Sequence, residues 1–106
     1  MFARTVSFRL KPGRSAEFTQ ILDKDILPLL RKQKGFQDEI ALVAPSGEDA
    51  IGISLWDTKD NAETYARGSY GDVLKTLQPV IQGDPRVQTY DVSSSTFHKI
   101  AGSAHA

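Results

Sequence analysis

Residues 40–58 read IALVAPSGEDAIGISLWDT, and this stretch decides the fold. Ile40, Ala41, Leu42, Val43 and Ala44 are apolar on both faces, which predicts a strand covered on both sides. Pro45, Ser46, Gly47, Glu48 and Asp49 have the composition of a hairpin turn. From residue 50 the chain alternates, with Ile51, Ile53 and Leu55 on one face and Gly52, Ser54 and Trp56 on the other. The two strands are therefore expected to pair antiparallel. Asp57 or Thr58 then caps a helix that begins at Lys59.

Upstream of the hairpin, residues 3–10 alternate as well. Val6, Phe8 and Leu10 form a dry face, and Thr5, Ser7 and Arg9 form a polar one. Lys11, Pro12 and Gly13 end this strand, and Ser15 is placed to cap a helix with Phe18, Ile21, Leu22, Ile26, Leu29 and Leu30 at helical spacing. Asp25 falls inside that apolar stripe, and Pro28 lacks a backbone donor. A bend near Lys24 with Asp25 capping a second segment accounts for both, and a catalytic Asp25 is the alternative. Gly35 suits a left-handed helix end, followed by Phe36.

Downstream, Ala62, Tyr65, Ala66 and Ser69 mark the inner side of the helix from residue 59, and Gly71 is expected to interrupt it. A further helix over 72–82 continues the stripe through Val73, Leu77 and Val80. Gly83, Asp84 and Pro85 end it, and residues 86–92 alternate as a fourth strand. Phe97 and Ile100 are placed to anchor part of the polar tail. One domain over 1–100 with a frayed tail over 101–106 is the expected organisation.

The order βαββαβ is that of a ferredoxin-like α+β fold, a four-stranded antiparallel sheet with both helices on one face. Right-handed crossovers leave the other face open. That face carries more apolar surface than water tolerates, so the expected cover is a second copy of the chain, making a homodimer.

The strand ending in Lys11-Pro12-Gly13-Arg14, the Leu29-Leu30 helix end running to Gly35-Phe36, and the Leu55-Trp56-Asp57-Thr58 junction with Ala62 and Tyr65 resemble the antibiotic biosynthesis monooxygenase-like family. The resemblance spans roughly residues 3 to 92. It implies a dimeric α/β barrel. For some members it implies oxidation of phenolic or polyketide-like aromatics by dioxygen without a prosthetic group. It also implies a haem-degrading branch, which carries an asparagine on the first strand and a histidine late in the second helical region. Here the first strand has Thr5 and Ser7 instead, and residues 59–82 hold no histidine.

Composition narrows the chemistry further. Among 106 residues, thirteen basic and thirteen acidic side chains leave no net charge, so neither nucleic acid nor an anionic membrane is an expected partner. At this length folding buries roughly 65% of the surface of the unfolded chain, enough for one core without disulfides. The absence of cysteine excludes thiolate nucleophiles and Cys-ligated metals. The N-terminal residues MFARTVSFRLKPGRS lack the apolar run of a signal peptide, and no stretch is long enough to span a bilayer. A cytoplasmic location is the resulting expectation.

The histidines, His98 and His105, lie in the polar tail, which is a poor position for the base of a hydrolytic triad. No two histidines share an element, Asp23 with Asp25 and Asp38 with Glu39 read as surface charge, and no metal site or cofactor is expected. The remaining chemistry draws its electrons from the substrate, an electron-rich ring held in a dry pocket. Trp56, Tyr65 and Asn61 are the candidate catalytic residues, and Ser7, Arg9 and Tyr70 the candidates for binding substrate. Trp56 and Tyr65 also fit a role as core or interface aromatics. Three readings stay open at this point: a cofactor-independent monooxygenase acting on a small aromatic or polyketide-like molecule, a non-catalytic dimer that binds a small apolar ligand, and a dimer whose cavity is too small for any ligand.

Overall fold

In the computed structural model, which describes residues 1–98, four strands form one antiparallel sheet in the order β2-β3-β1-β4. Their ranges are β1 Phe2–Leu10, β2 Phe36–Val43, β3 Asp49–Trp56 and β4 Ile81–Asp91. The first crossover contains α1 (Ser15–Ile21), a π-helical turn over Leu22–Ile26, and α2 (Leu27–Arg31). The second contains α3 (Lys59–Arg67), α4 (Tyr70–Leu77) and a short 3-10 turn, Gln78–Val80. This is the ferredoxin-like arrangement that the element order predicts. The expectations for Ile100, His105 and the 101–106 tail lie outside the described residues.

The dry face of β1 packs under the helices. Phe8 meets Phe18 of α1 edge-on with ring centroids 5.9 Å apart, and Val6, Leu10, Leu22, Ile26, Leu30, Val73 and Leu77 complete the core. Pairing carries this parity across the sheet. Phe2 lies opposite Trp56, Arg4 opposite Ser54, Val6 opposite Gly52 and Phe8 opposite Ala50, all on the helix side.

Several local expectations are corrected. Ser15 is the first residue of α1 and does not cap it, since Arg14 occupies that position without a side-chain hydrogen bond. Asp25 does not cap α2 either. The chain absorbs the irregularity in the π turn, and Pro28 falls in the first turn of α2, where its missing N–H is not needed. Thr58 caps α3 by accepting the Asn61 N–H at 3.2 Å. The second helical region breaks at Gly68 and Ser69, and Gly71 lies inside α4. Gly83, Asp84 and Pro85 do not end a helix. They lie within β4 as a bulge that adds two residues opposite Ser7 and Arg9 of β1.

The largest correction concerns β2. It is an edge strand, and even on the helix-side face Val43 is 36% exposed where cover was expected. One extra residue between Phe36 and Asp38 shifts its register against β3. Past this bulge the parity inverts: Glu39, Ala41 and Val43 share the helix-side phase of Ser54, Gly52 and Ala50. Ile40 and Leu42 turn to the open face beside Ile53 and Ile51.

Gly35 fixes the join between the first crossover and the sheet. Its φ of +83° is costly for any residue with a side chain, and a Cβ there would collide with the Asp57 carboxylate and the Asn61 side chain. Its carbonyl accepts the Asp57 N–H at 2.9 Å.

Candidate functional site

A narrow cleft opens between the helix-side face of the sheet and the two helical layers. β1 contributes Arg4, Val6 and Phe8, and β3 contributes Gly52 and Ser54. β2 contributes Glu39, the π turn Leu22 and Ile26, and the second helical region Tyr65, Tyr70, Val73 and Leu77. Its volume is about 50 Å³, room for one or two waters. The walls are chiefly apolar, so its few polar groups define what it can recognise.

Arg4 is the most unusual of these. It occupies the apolar phase of β1, two residues before Val6, and is only 5% exposed. Its guanidinium lies over the Tyr70 ring at 3.8 Å from the centroid and 5.6 Å from that of Tyr65. Stacking on an aromatic face returns part of the desolvation cost of a buried cation, but far from all of it. Among the described residues Arg4 makes no ion pair.

The stack continues inward. Tyr65 lies against Trp56 with centroids 4.9 Å apart and planes 29° from parallel, and Trp56 meets Phe36 edge-on at 5.6 Å. Trp56 is fully buried, and its indole N–H donates to Ser54 Oγ at 2.8 Å. It therefore orients the Ser54 hydroxyl without itself lining the cleft.

Two polar atoms of the cleft are buried with no hydrogen-bond partner, Tyr70 Oη and Glu39 Oε1. The guanidinium sits on the Tyr70 ring. Burial pushes the Tyr65 phenol up to about 12 and raises that of Tyr70, the positive charge of Arg4 opposing in both cases. Both phenols stay protonated donors at neutral pH. Burial, reinforced by the like charge of Asp23, raises the Glu39 carboxyl above the ordinary carboxylate range.

Of the residues singled out from sequence, Tyr65 and Tyr70 line the cleft and Trp56 supports it. Asn61 stands apart. Its side-chain amide donates to Asp57 Oδ1 at 2.9 Å, and this bond is the main cause that holds the Asp57 carboxyl below its usual range. Ser7 and Arg9 are exposed and point away from the cleft. They pair with Ile51 and Asp49 on the opposite face of the sheet, and Arg9 meets Glu48 at 3.4 Å.

Arg4, Ser54 and Glu39 were not among the sequence candidates. Arg4 and Ser54 were findable, because each stands in the phase of an apolar or aromatic neighbour on its strand. Glu39 had no such signal, since only the β2 bulge turns it inward. His98 packs its ring nitrogen on Asp38, on the outer side of β2 and away from the cleft. Among the described residues no cluster of three or more His, Asp or Glu side chains is arranged to hold a metal, and no helix is long and apolar enough to cross a membrane.

The fold is that of solved antibiotic biosynthesis monooxygenases. The monooxygenase ActVA-Orf6 of Streptomyces coelicolor, solved with nanaomycin D, superposes with a TM-score of 0.75 over 92% of each chain at 14% identity. SnoaB of Streptomyces nogalater, a cofactor-independent oxygenase, gives 0.72 over 90% of this chain and 95% of its own, also at 14% identity. A Bordetella bronchiseptica protein assigned provisionally as an antibiotic biosynthesis monooxygenase gives 0.73 at 17% identity, over 86% of this chain and 95% of its own. At these identities the likeness is one of fold. No family model matches the sequence, and no curated protein does.

Proposed function

We propose that the protein binds a small hydroxylated aromatic molecule in the helix-side cleft and oxidises it with dioxygen without a bound cofactor. The observation that carries this reading is the guanidinium of Arg4, buried in an apolar cleft with no ion pair among the described residues, beside two buried polar atoms that lack a hydrogen-bond partner. A phenolate supplies the missing negative charge and presents a π-face to Tyr65 and Tyr70. Its electron-rich ring is also the reductant the reaction needs. A phenol with a free para C–H and one dioxygen give a quinone and one water, so one oxygen atom enters the product and the other leaves as water.

The chain's own share of that reaction is to bind, orient and exclude water. Tyr65 and Tyr70, protonated, are donors toward developing negative charge on oxygen. At about 50 Å³ the closed cleft falls far short of the roughly 300–1,000 Å³ of drug-sized sites, so entry requires Arg4 and Tyr70 to move outward together.

The small volume and the lack of any histidine in the lining also favour a second reading, a binding protein without turnover. Oxygen uptake with a panel of naphthols and hydroquinones separates the two. For a naphthol with a free para C–H, the oxygenase reading expects one dioxygen consumed per quinone formed, with one atom of labelled oxygen in the product. Binding without uptake assigns the cleft to sequestration.

A homodimer is part of the same reading. Ile40, Leu42, Ile51 and Tyr90 are between 37% and 51% exposed on the open face of the sheet, and a second copy is a self-complementary cover for them. Light scattering at micromolar concentration is expected to return twice the 11.7 kDa chain mass. A stable monomer contradicts this part of the proposal.

A further inference from the structure

Glu39, Ser54 and Arg4 stand in one row across β2, β3 and β1 on the helix-side face. With neighbouring strands about 4.8 Å apart, the Cα atoms at the two ends of this row are about 10 Å from each other. The cleft is thus bounded by a carboxylate on one side and a guanidinium on the other, with the Ser54 hydroxyl between them. Glu39 Oε1 is shut off from solvent and accepts no hydrogen bond, an expensive state for a carboxylate oxygen unless a donor arrives from elsewhere. Arg4, at the other end of the row, makes no ion pair among the described residues.

We propose that Glu39 is the proton acceptor of the cleft, taking the hydroxyl proton of a bound phenol while Arg4 offsets the negative charge the ring then carries. This rests on the reading of the cleft as a hydroxyarene site. In the step itself the phenol O–H bond breaks and its electron pair stays on the phenol oxygen. The proton bonds to Glu39 Oε1, and no electron leaves the pair. Charge delocalised onto the ring lies partly at the carbon para to the oxygen. The guanidinium at the far end of the row therefore stabilises the phenolate without touching its oxygen.

The groups facing Glu39 support this assignment. Asp23, from the π turn, is the like charge that adds to burial in raising its proton affinity. A base poised closer to neutrality accepts a phenol proton more readily than an ordinary surface carboxylate. Ser54 and Arg4 face it along the row, Tyr65 and Tyr70 stand across the cleft as protonated donors, and Asp38 and His98 lie on the outer side of β2.

The test uses 4-nitrophenol, whose phenolate absorbs visible light and whose ionisation is read without any oxygenation. It is titrated into the full-length protein at a pH below the probe's own pKa, in weak buffer with proton release followed. The wild-type protein is expected to develop the phenolate band with no net proton release, because the proton stays on Glu39. Glu39→Gln is expected to lose the band at least tenfold, or to keep it only with one proton released per ligand. Asp23→Asn, a change at an exposed residue, is expected to move the acid limb of the band to lower pH, since removing the like charge lowers the proton affinity of Glu39.

A phenolate band and proton balance identical in wild type and Glu39→Gln overturn the proposal. Failure of the probe to bind the wild type overturns both the proposal and the reading of the cleft. A normal band with no oxygen uptake on any naphthol or hydroquinone leaves Glu39 as the proton acceptor and sinks only the oxygenase reading.

Discussion

Replacing Arg4 with Met should yield a protein at least as stable as the wild type that binds anionic hydroxyarenes at least tenfold more weakly. The two halves of this expectation have one cause. Arg4 is 5% exposed with no ion pair among the described residues, so the folded state carries the desolvation cost of a cation against little more than its stacking on Tyr70. Such stacking returns about 0.5–2 kcal/mol, whereas burying an ion costs several. Met fills a similar volume among Val6, Tyr65 and Tyr70 without that cost, and a gain of up to about 2 kcal/mol in unfolding free energy is expected. Ligand binding responds in the opposite sense, because without the guanidinium the charge delocalised over the phenolate ring has no counter-charge in the cleft, and a tenfold loss corresponds to about 1.4 kcal/mol. Arg4→Lys keeps the charge but not the planar stacking surface and should fall between the two. Thermal unfolding and titration of the intrinsic fluorescence of Trp56, the single tryptophan, read both effects on the same samples. A large loss of stability in Arg4→Met with binding intact would mean that the guanidinium serves the fold and not a ligand.

Gly35→Ala is expected to produce the largest stability loss of any single methyl addition discussed for this chain, roughly 2–3 kcal/mol. The positive φ alone costs about 1–2 kcal/mol for a residue with a Cβ. The added atom also lands on the Asp57 carboxylate and the Asn61 side chain, so the 2.9 Å hydrogen bond between them must shift, or the backbone hydrogen bond from Asp57 to Gly35 must lengthen. Each of those adds about 1 kcal/mol. For a domain of this size the melting temperature should fall by on the order of 15 °C. Gly13→Ala is the matched control. Its φ is +74° but nothing lies within 4 Å of the added Cβ, so only the backbone cost remains. Equal losses at the two positions would remove the collision from the account.

The contrast between Gly35 and Asn61 also shows how far the sequence could be read. Gly35 was legible as a left-handed helix end, and the hairpin, the crossovers and the inward parity of Val6, Phe8 and Leu10 followed from period and turn chemistry. Asn61 was singled out for its chemistry, and its amide is engaged by Asp57 beside that same glycine. The site was half legible. Tyr65 lies where helical periodicity put it, on the cleft, and Tyr70, singled out beside the expected Gly71 break, joins it there.

Ser7 and Arg9 went to the other face because the polar phase of β1 is the outer phase, and the charge that matters, Arg4, stands in the apolar phase. Continuing the alternation back two residues from Val6 was enough to find it. Glu39 was beyond reach by the same method. A one-residue bulge after Phe36 inverts the parity of β2, and nothing in the residue types announces where that extra residue falls. The same blindness to bulges explains Gly83, read as the end of a helix and found inside β4. Period-based reading is accurate as long as the ladder is unbroken, and functional clefts are places where it breaks.

A hydroxyarene held in the helix-side cleft between Arg4 and Glu39 would perturb the backbone of the residues that line it. The most direct measurement is an amide NMR titration of the labelled protein with 4-nitrophenol. Saturable shifts centred on Arg4, Glu39, Gly52, Ser54 and Tyr70 are the predicted result. Shifts confined to the open face around Ile40, Leu42, Ile51 and Tyr90, with the cleft residues unmoved, would contradict it.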